Sequence, residues 1–167
     1  MTEIKGGGNV STADAFADQL PWPEFRQLYA YWRARCDGDR LPGRADIDPL
    51  AFPALLPGIY LVDVIRTPGL DRLGFRFRLV GTAHLAINGV EITGMTVDEA
   101  FTGDHGQRAR AAYEEVVTTA RPSLKLGARA AVGGRAHMIF DRLLLPLASN
   151  GRTVDLLLGH LRAQPPK

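Results

Sequence analysis

Gly58-Ile-Tyr-Leu-Val-Asp-Val-Ile65, followed after a nine-residue connection by Phe75-Arg-Phe-Arg-Leu-Val80, is the most informative stretch of the chain. The first segment is rich in β-branched residues, and the second alternates apolar and charged positions with period two. Thr67-Pro68-Gly69 opens the connection and Gly74 closes it, so the pair reads as a hairpin. The alternation places Phe75, Phe77 and Leu79 on one face and Arg76 and Arg78 on the other. Asp63 stands out in its apolar strand, and a cross-strand arginine is the expected partner.

Three more strands are expected beyond residue 122: near Ser123–Val132, near Ala136–Leu147 and near Thr153–Leu161. Gly133-Gly134 can turn the chain between the first two. Ser149-Asn150-Gly151 is the strongest hairpin signal, because Asn-Gly accepts the positive φ angles of a tight turn. Between the two sets of strands, Thr96-Val-Asp-Glu99 has the form of a capping box, with Phe101 closing a short helix. A further short turn lies between the glycines at 81 and 94. Asp104-His-Gly-Gln107 opens a helix over roughly 105–120, with Ala109, Ala112, Tyr113, Val116 and Val117 on one stripe. Arg121-Pro122 ends it.

Ahead of the strands, residues 23–36 read as an amphipathic helix. Pro23 and Glu24 suit its first turn, and Gly38 follows as a stop. Phe25, Leu28, Tyr29, Trp32 and Cys36 recur at helical spacing. That stripe can dock on the domain or meet a second copy of the chain, since large aromatics bury much area at little entropic cost. Residues 41–57 contain four prolines, which forbids a long helix or a central strand. Asp48-Pro49 has the form of a cap followed by a first-turn proline, and Arg44, Asp46 and Asp48 invite a local ionic clamp.

The whole chain has 167 residues, 46% hydrophobic and 23% charged, enough for one domain with a real core. Residues 1–19, with Gly6-Gly7-Gly8-Asn9, are expected to be a flexible lead-in, 20–162 a single domain and 163–167 a C-terminal tail. The single Cys36 excludes an intrachain disulfide and multi-cysteine metal sites. No apolar run is long enough to span a membrane and no signal peptide is legible, so the expected place is the cytoplasm. The net charge is +2, but residues 121–167 carry eight bases against two acids. No basic run or recognition motif points to nucleic acid. No nucleophile–base pair, Gly-x-Ser-x-Gly elbow or metal set can be named, so no enzyme is expected. The order of elements predicts an α+β fold: a five-stranded antiparallel sheet with short helices over one face and an amphipathic N-terminal helix.

Several pieces taken together resemble the PAS domain superfamily, and more closely its small stand-alone alphaproteobacterial members of largely unassigned function. They are Tyr31-Trp32, Leu41-Pro-Gly-Arg-Ala-Asp-Ile-Asp-Pro49, Leu55-Leu-Pro57, Leu61-Val-Asp-Val64, Phe75-Arg-Phe-Arg-Leu-Val-Gly-Thr82, Ile92-Thr-Gly94 and Leu145-Pro-Leu147. The resemblance covers about residues 22–162. It implies a small cavity between sheet and helices that holds a metabolite, a haem, a flavin or nothing, so the cofactor is left unknown. It implies that 81–120 wall this cavity and that 23–36 form a flanking helix, with Phe25, Leu28, Tyr29 and Trp32 as the dimer contact of a homodimer. Phe77, Leu79, Leu85, Ile87, Phe101, Tyr113, Val117, Ile139 and Leu143 offer apolar walls. His84, Tyr113 and His137 are the polar anchors. The ligand-binding candidates are thus Phe77, His84, Phe101, Tyr113 and His137. His105 is weighed as a haem ligand and read instead as polar surface. The implied function is small-molecule sensing or signal transduction through a separate signalling protein. The alternative is a ligand-free interaction scaffold.

Overall fold

The computed structural model describes residues 12–129 and 138–164. Five strands form one antiparallel sheet: β1 (Ile59–Ile65), β2 (Gly74–Val80), β3 (Ser123–Arg129), β4 (Ile139–Leu147) and β5 (Leu156–Ala163). Their spatial order is β2-β1-β5-β4-β3. Helices α3 (Ala83–Asn88), α4 (Val97–Ala100) and α5 (Gly103–Thr119) connect β2 to β3. Two more precede the sheet, α1 (Thr12–Asp18) and α2 (Pro23–Arg35). The expected α+β architecture is therefore the observed one.

The β1–β2 hairpin forms as expected, and Arg78 pairs with Asp63 at 2.6 Å. One detail differs. Val62 pairs with Phe77 and Leu61 with Leu79, so Arg78 is an extra residue, a β-bulge. The bulge breaks the alternation. Phe75 and Phe77 are buried, while Leu79 is exposed. The free side of β2 is closed by the segment before α4: Phe77 N donates to Met95 O and Gly94 N to Phe77 O, at 2.9 and 2.7 Å. This covers an edge that would otherwise invite aggregation.

β4 and β5 are apolar on both faces. Leu143, Leu145, Leu147, Leu156 and Leu158 are buried, and so are Leu144, Leu157 and Leu161. At roughly 1.5–3 kcal/mol for each fully buried leucine, these two strands anchor the core. The turn between them is longer than the tight turn expected at Ser149-Asn150-Gly151. Asn150 Oδ1 accepts from the amides of Arg152 and Thr153, at 2.9 and 2.8 Å, so its side chain builds the turn. Only Gly151 takes a positive φ there, 82°. β5 accordingly starts at Leu156 and pairs it with Leu147.

Two further local expectations hold and a third does not. Thr96 and Glu99 form the capping box, with amide bonds of 2.9 and 3.2 Å. Asp48 caps the short turn at Pro49–Ala51 through Leu50 N. Arg44 and Asp46 make backbone bonds, to Ile47 O and from Gly43 N, in place of an ionic clamp with each other. Two expectations at the chain ends change. Residues 12–18, placed in the lead-in, form α1, where Phe16 packs on Tyr29 with ring centroids 5.2 Å apart. At the other end, Ala163 belongs to β5 and Gln164 N donates to Ile139 O at 2.7 Å.

Candidate functional site

The inner face of the sheet and the helices α3 to α5 enclose a cavity. Tyr60 from β1, Phe77 from β2, Phe140 and Arg142 from β4 and Leu161 from β5 form its floor. His84 and Asn88 from α3, Ile92, Phe101, and His105, Ala109 and Tyr113 from α5 form its walls. Local structure explains how they converge. Gly81, just after β2, lies so close to the preceding turn that a Cβ there would sit 2.3 Å from Pro57 O. Only glycine lets the chain pass and begin α3. His84 then donates Nε2–H to Gly58 O at 2.9 Å, which ties α3 to the start of β1. Arg110 fixes α5 from behind, bonding Asp98 at 2.6 Å and Leu73 O at 2.5 Å.

Aromatic edges line the space. Phe77 meets Phe101 at 5.7 Å with rings 81° apart, Tyr60 meets His84 at 4.9 Å, and Phe101 meets His105 at 4.6 Å. The cavity these rings leave is about 40 Å³. Since one water needs about 10–15 Å³ by the same measure, there is room for about three water-sized groups. A flavin or haem needs a pocket many times larger. His84, whose Nε2 is committed to Gly58, and the half-buried His105 are both held below the usual histidine value, chiefly by burial. Burial pushes the Tyr60 phenol well above its ordinary value, and it raises Tyr113 too, in both cases against the pull of the Arg142 charge.

Four of the five expected ligand-binding residues, Phe77, His84, Phe101 and Tyr113, line this one cavity. His137 lies outside the described residues. Of the wider apolar set, Leu79 and Leu85 are exposed, and Leu143 is buried on the opposite face of the sheet from Arg142. Tyr60, Asn88, Arg142 and Leu161 were not expected. Arg142 is the most consequential. Its Nε is buried and has no hydrogen-bond partner among the described residues.

The outer face of the sheet carries α2. Phe25, Leu28, Tyr29 and Trp32, expected as a dimer contact, are only 0–4% exposed in the single chain. This corrects that reading: the stripe is covered by the chain's own sheet and by Phe16 of α1. Trp32 Nε1 donates to Pro146 O at 2.9 Å, and Phe25 sets its edge on His160 at 5.6 Å. Asp141 anchors the head of α2. It is 1% exposed and accepts from Trp22 Nε1 at 2.7 Å, Gly127 N at 2.8 Å and Gln164 Nε2 at 2.9 Å. Arg162 stacks over the Trp22 ring at 3.7 Å and reaches Glu24 at 3.3 Å. Burial pushes the Cys36 thiol up, as expected for an inert cysteine. Among the described residues no three His, Cys, Asp or Glu side chains gather as a metal site.

No curated protein matches the chain. Among solved structures, the LOV protein of Rhodobacter sphaeroides is similar over 67% of this chain, with 21% identity and a TM-score of 0.45. The chain covers 64% of that structure's length. The PAS domain of Bordetella pertussis BvgS is similar over 71% of this chain and 88% of its own, with 18% identity and a TM-score of 0.49. Residues 22–162, from Trp22 at the head of α2 to the Arg162 that stacks on it, match the PAS domain family, and the chain belongs to that family.

Proposed function

We propose that this chain is a sensory and regulatory module. A small molecule in the cavity sets how firmly the sheet holds α2, and a separate protein reads the result. PAS domains are in general non-catalytic modules of sensing and regulation. The observation that carries the reading is the alternation along β4. Phe140 and Arg142 face the cavity, while Asp141 between them faces the other way and holds Trp22. A shift of β4 on the inner face therefore reaches α2 through adjacent residues. An occupant moves this equilibrium only by its difference in affinity for the two arrangements. Within the family, our reading is that the chain is one of the small alphaproteobacterial members, which the Arg44-Ala-Asp-Ile-Asp-Pro49 and Phe75-Arg-Phe-Arg-Leu-Val-Gly-Thr82 pieces support. We assign it to the cytoplasm; no described helix is long and apolar enough to cross a membrane.

A second reading, a scaffold whose cavity is closed by its own side chains, is favoured by the small volume of about 40 Å³. One experiment separates the two. Ala109→Val adds two methyl groups to the cavity wall and stands in for an occupant. Ala111→Val makes the same change on the exposed side of α5. Sensing predicts that amide hydrogen exchange over residues 22–35 changes at least threefold in Ala109→Val and not in Ala111→Val. Unchanged exchange in both would sink the sensing reading and leave the scaffold.

A further inference from the structure

Arg142 is a cation facing a cavity that offers it no anion. Among the described residues no Asp or Glu lines the space. Residues 116–140 contain no acid at all. The nearest carboxylate in sequence, Asp141, points to the other face and is taken by three donors. Asp98 is committed to Arg110, and Asp63 to Arg78. Across the β3–β4 ladder the residue directly opposite Arg142 is Lys125, a second cation. Like charges in that position repel. A partly buried guanidinium with an orphaned Nε is costly unless something supplies the missing acceptor.

We propose that the cavity is a binding site for a small monocarboxylate of about acetate size, held by the Arg142 guanidinium. The proposal rests on reading the cavity as a ligand site. Its size sets the class: room for about three water-sized groups fits a carboxylate with one methyl or so, and excludes rings and nucleotides. Its shape agrees. A planar carboxylate matches the guanidinium fork, and the Nε edge is the unsatisfied one. The phenols of Tyr60 and Tyr113 share a hydrogen bond in which Tyr60 donates, which leaves the Tyr113 O–H as a neutral donor, and Phe77, Phe101 and Ala109 offer an apolar place for the methyl.

The test uses the full chain with ¹³C-acetate, followed by saturation-transfer NMR and by thermal unfolding against sodium chloride of equal ionic strength. Wild type is expected to bind acetate saturably and to melt higher in acetate than in chloride. Arg142→Met, which replaces the guanidinium by an apolar chain of similar length, is expected to bind at least tenfold more weakly. Ala109→Val, which keeps Arg142 and fills the space, should lose binding to a similar degree and serves if Arg142→Met does not fold. Benzoate is too large and is expected not to compete. The proposal is overturned by absent saturation in wild type, by Arg142→Met or Ala109→Val binding within twofold of wild type, or by competing benzoate. Acetate that binds through Arg142 without changing exchange over residues 22–35 sustains the anion site and refutes the sensing reading. Exchange that responds to Ala109→Val in a protein that ignores acetate does the reverse.

Discussion

Asp141→Asn isolates the contact between the sheet and the head of α2. The carboxylate accepts at both oxygens, from Trp22 on Oδ2 and from Gly127 and Gln164 on Oδ1. An asparagine has one accepting atom. If its oxygen keeps Gly127 and Gln164, its NH₂ faces the indole N–H, donor against donor. An orphaned buried donor costs about 1–3 kcal/mol, and the surviving bonds weaken as the acceptor loses its charge. Trp22 and Gln164 are only half buried, which keeps the total toward the lower end. The expected loss is about 2 kcal/mol. Urea unfolding followed by fluorescence reads it, since both tryptophans, Trp22 and Trp32, sit on this face of the sheet.

Trp22→Phe removes the facing donor and keeps most of the ring. In that background Asp141→Asn should cost about 1 kcal/mol less than in wild type, because the worst clash is gone. The reasoning is refuted if Asp141→Asn costs under about 0.5 kcal/mol. It is equally refuted if the two substitutions are additive, for then Asp141 does not hold α2 through Trp22.

Two further outcomes follow from burial. Burial lowers the His160 imidazole to about 4, against the opposing pull of Glu24, from a usual 6.5. The folded protein thus keeps the ring neutral while the unfolded chain takes up a proton, so stability is full above about pH 6.5 and declines to a floor near pH 4, by about 3 kcal/mol. His84 and His105 are shifted in the same direction, so His160→Gln should flatten the pH profile of the urea midpoint only in part. A profile identical to wild type would contradict the assignment. Gly159→Ala places a Cβ 2.2 Å from the Tyr60 ring, which is already packed on Phe77 and His84. It should cost about 1–3 kcal/mol. It should also push Tyr60 toward the cavity and perturb the near-UV circular dichroism, and an unperturbed spectrum at wild-type stability would show the ring has room to retreat.

How far the chain could be read depended on whether an element has one covered face or two. β2 was legible because its arginines meet solvent while Phe75 and Phe77 turn inward. Leu79 escaped, since the bulge at Arg78 is a property of pairing with β1 and has no local signature. The stripe on α2 was correctly read as a face that must be covered. An amphipathic pattern does not say what covers it, and the sheet took the place expected for a second copy. β4 gave the least. With α2 on one side and the cavity helices on the other, both faces are apolar and the period-two signal vanishes. One clue was present. Asp141 and Arg142 are adjacent charges inside the apolar run Met138–Leu147. In a strand, neighbours point to opposite faces, so each face had to receive one charge.

That pair also argues for the direction in which function should be sought. Buried charges contribute little to stability compared with apolar groups of the same volume. A leucine at 141 and a methionine at 142 would fill the two faces of β4 without desolvating an ion. What they could not do is accept three hydrogen bonds at the root of a helix, or attract an anion to an otherwise aromatic cavity. The two charges differ in how they are met: Asp141 is fully satisfied inside the chain, and Arg142 is not. The satisfied charge holds the structure on one face of the strand, and the unsatisfied one, on the other, is the group on which the proposed anion site rests. An occupant that neutralises Arg142 therefore acts on the strand that fixes α2, one residue away from the contact it would have to alter.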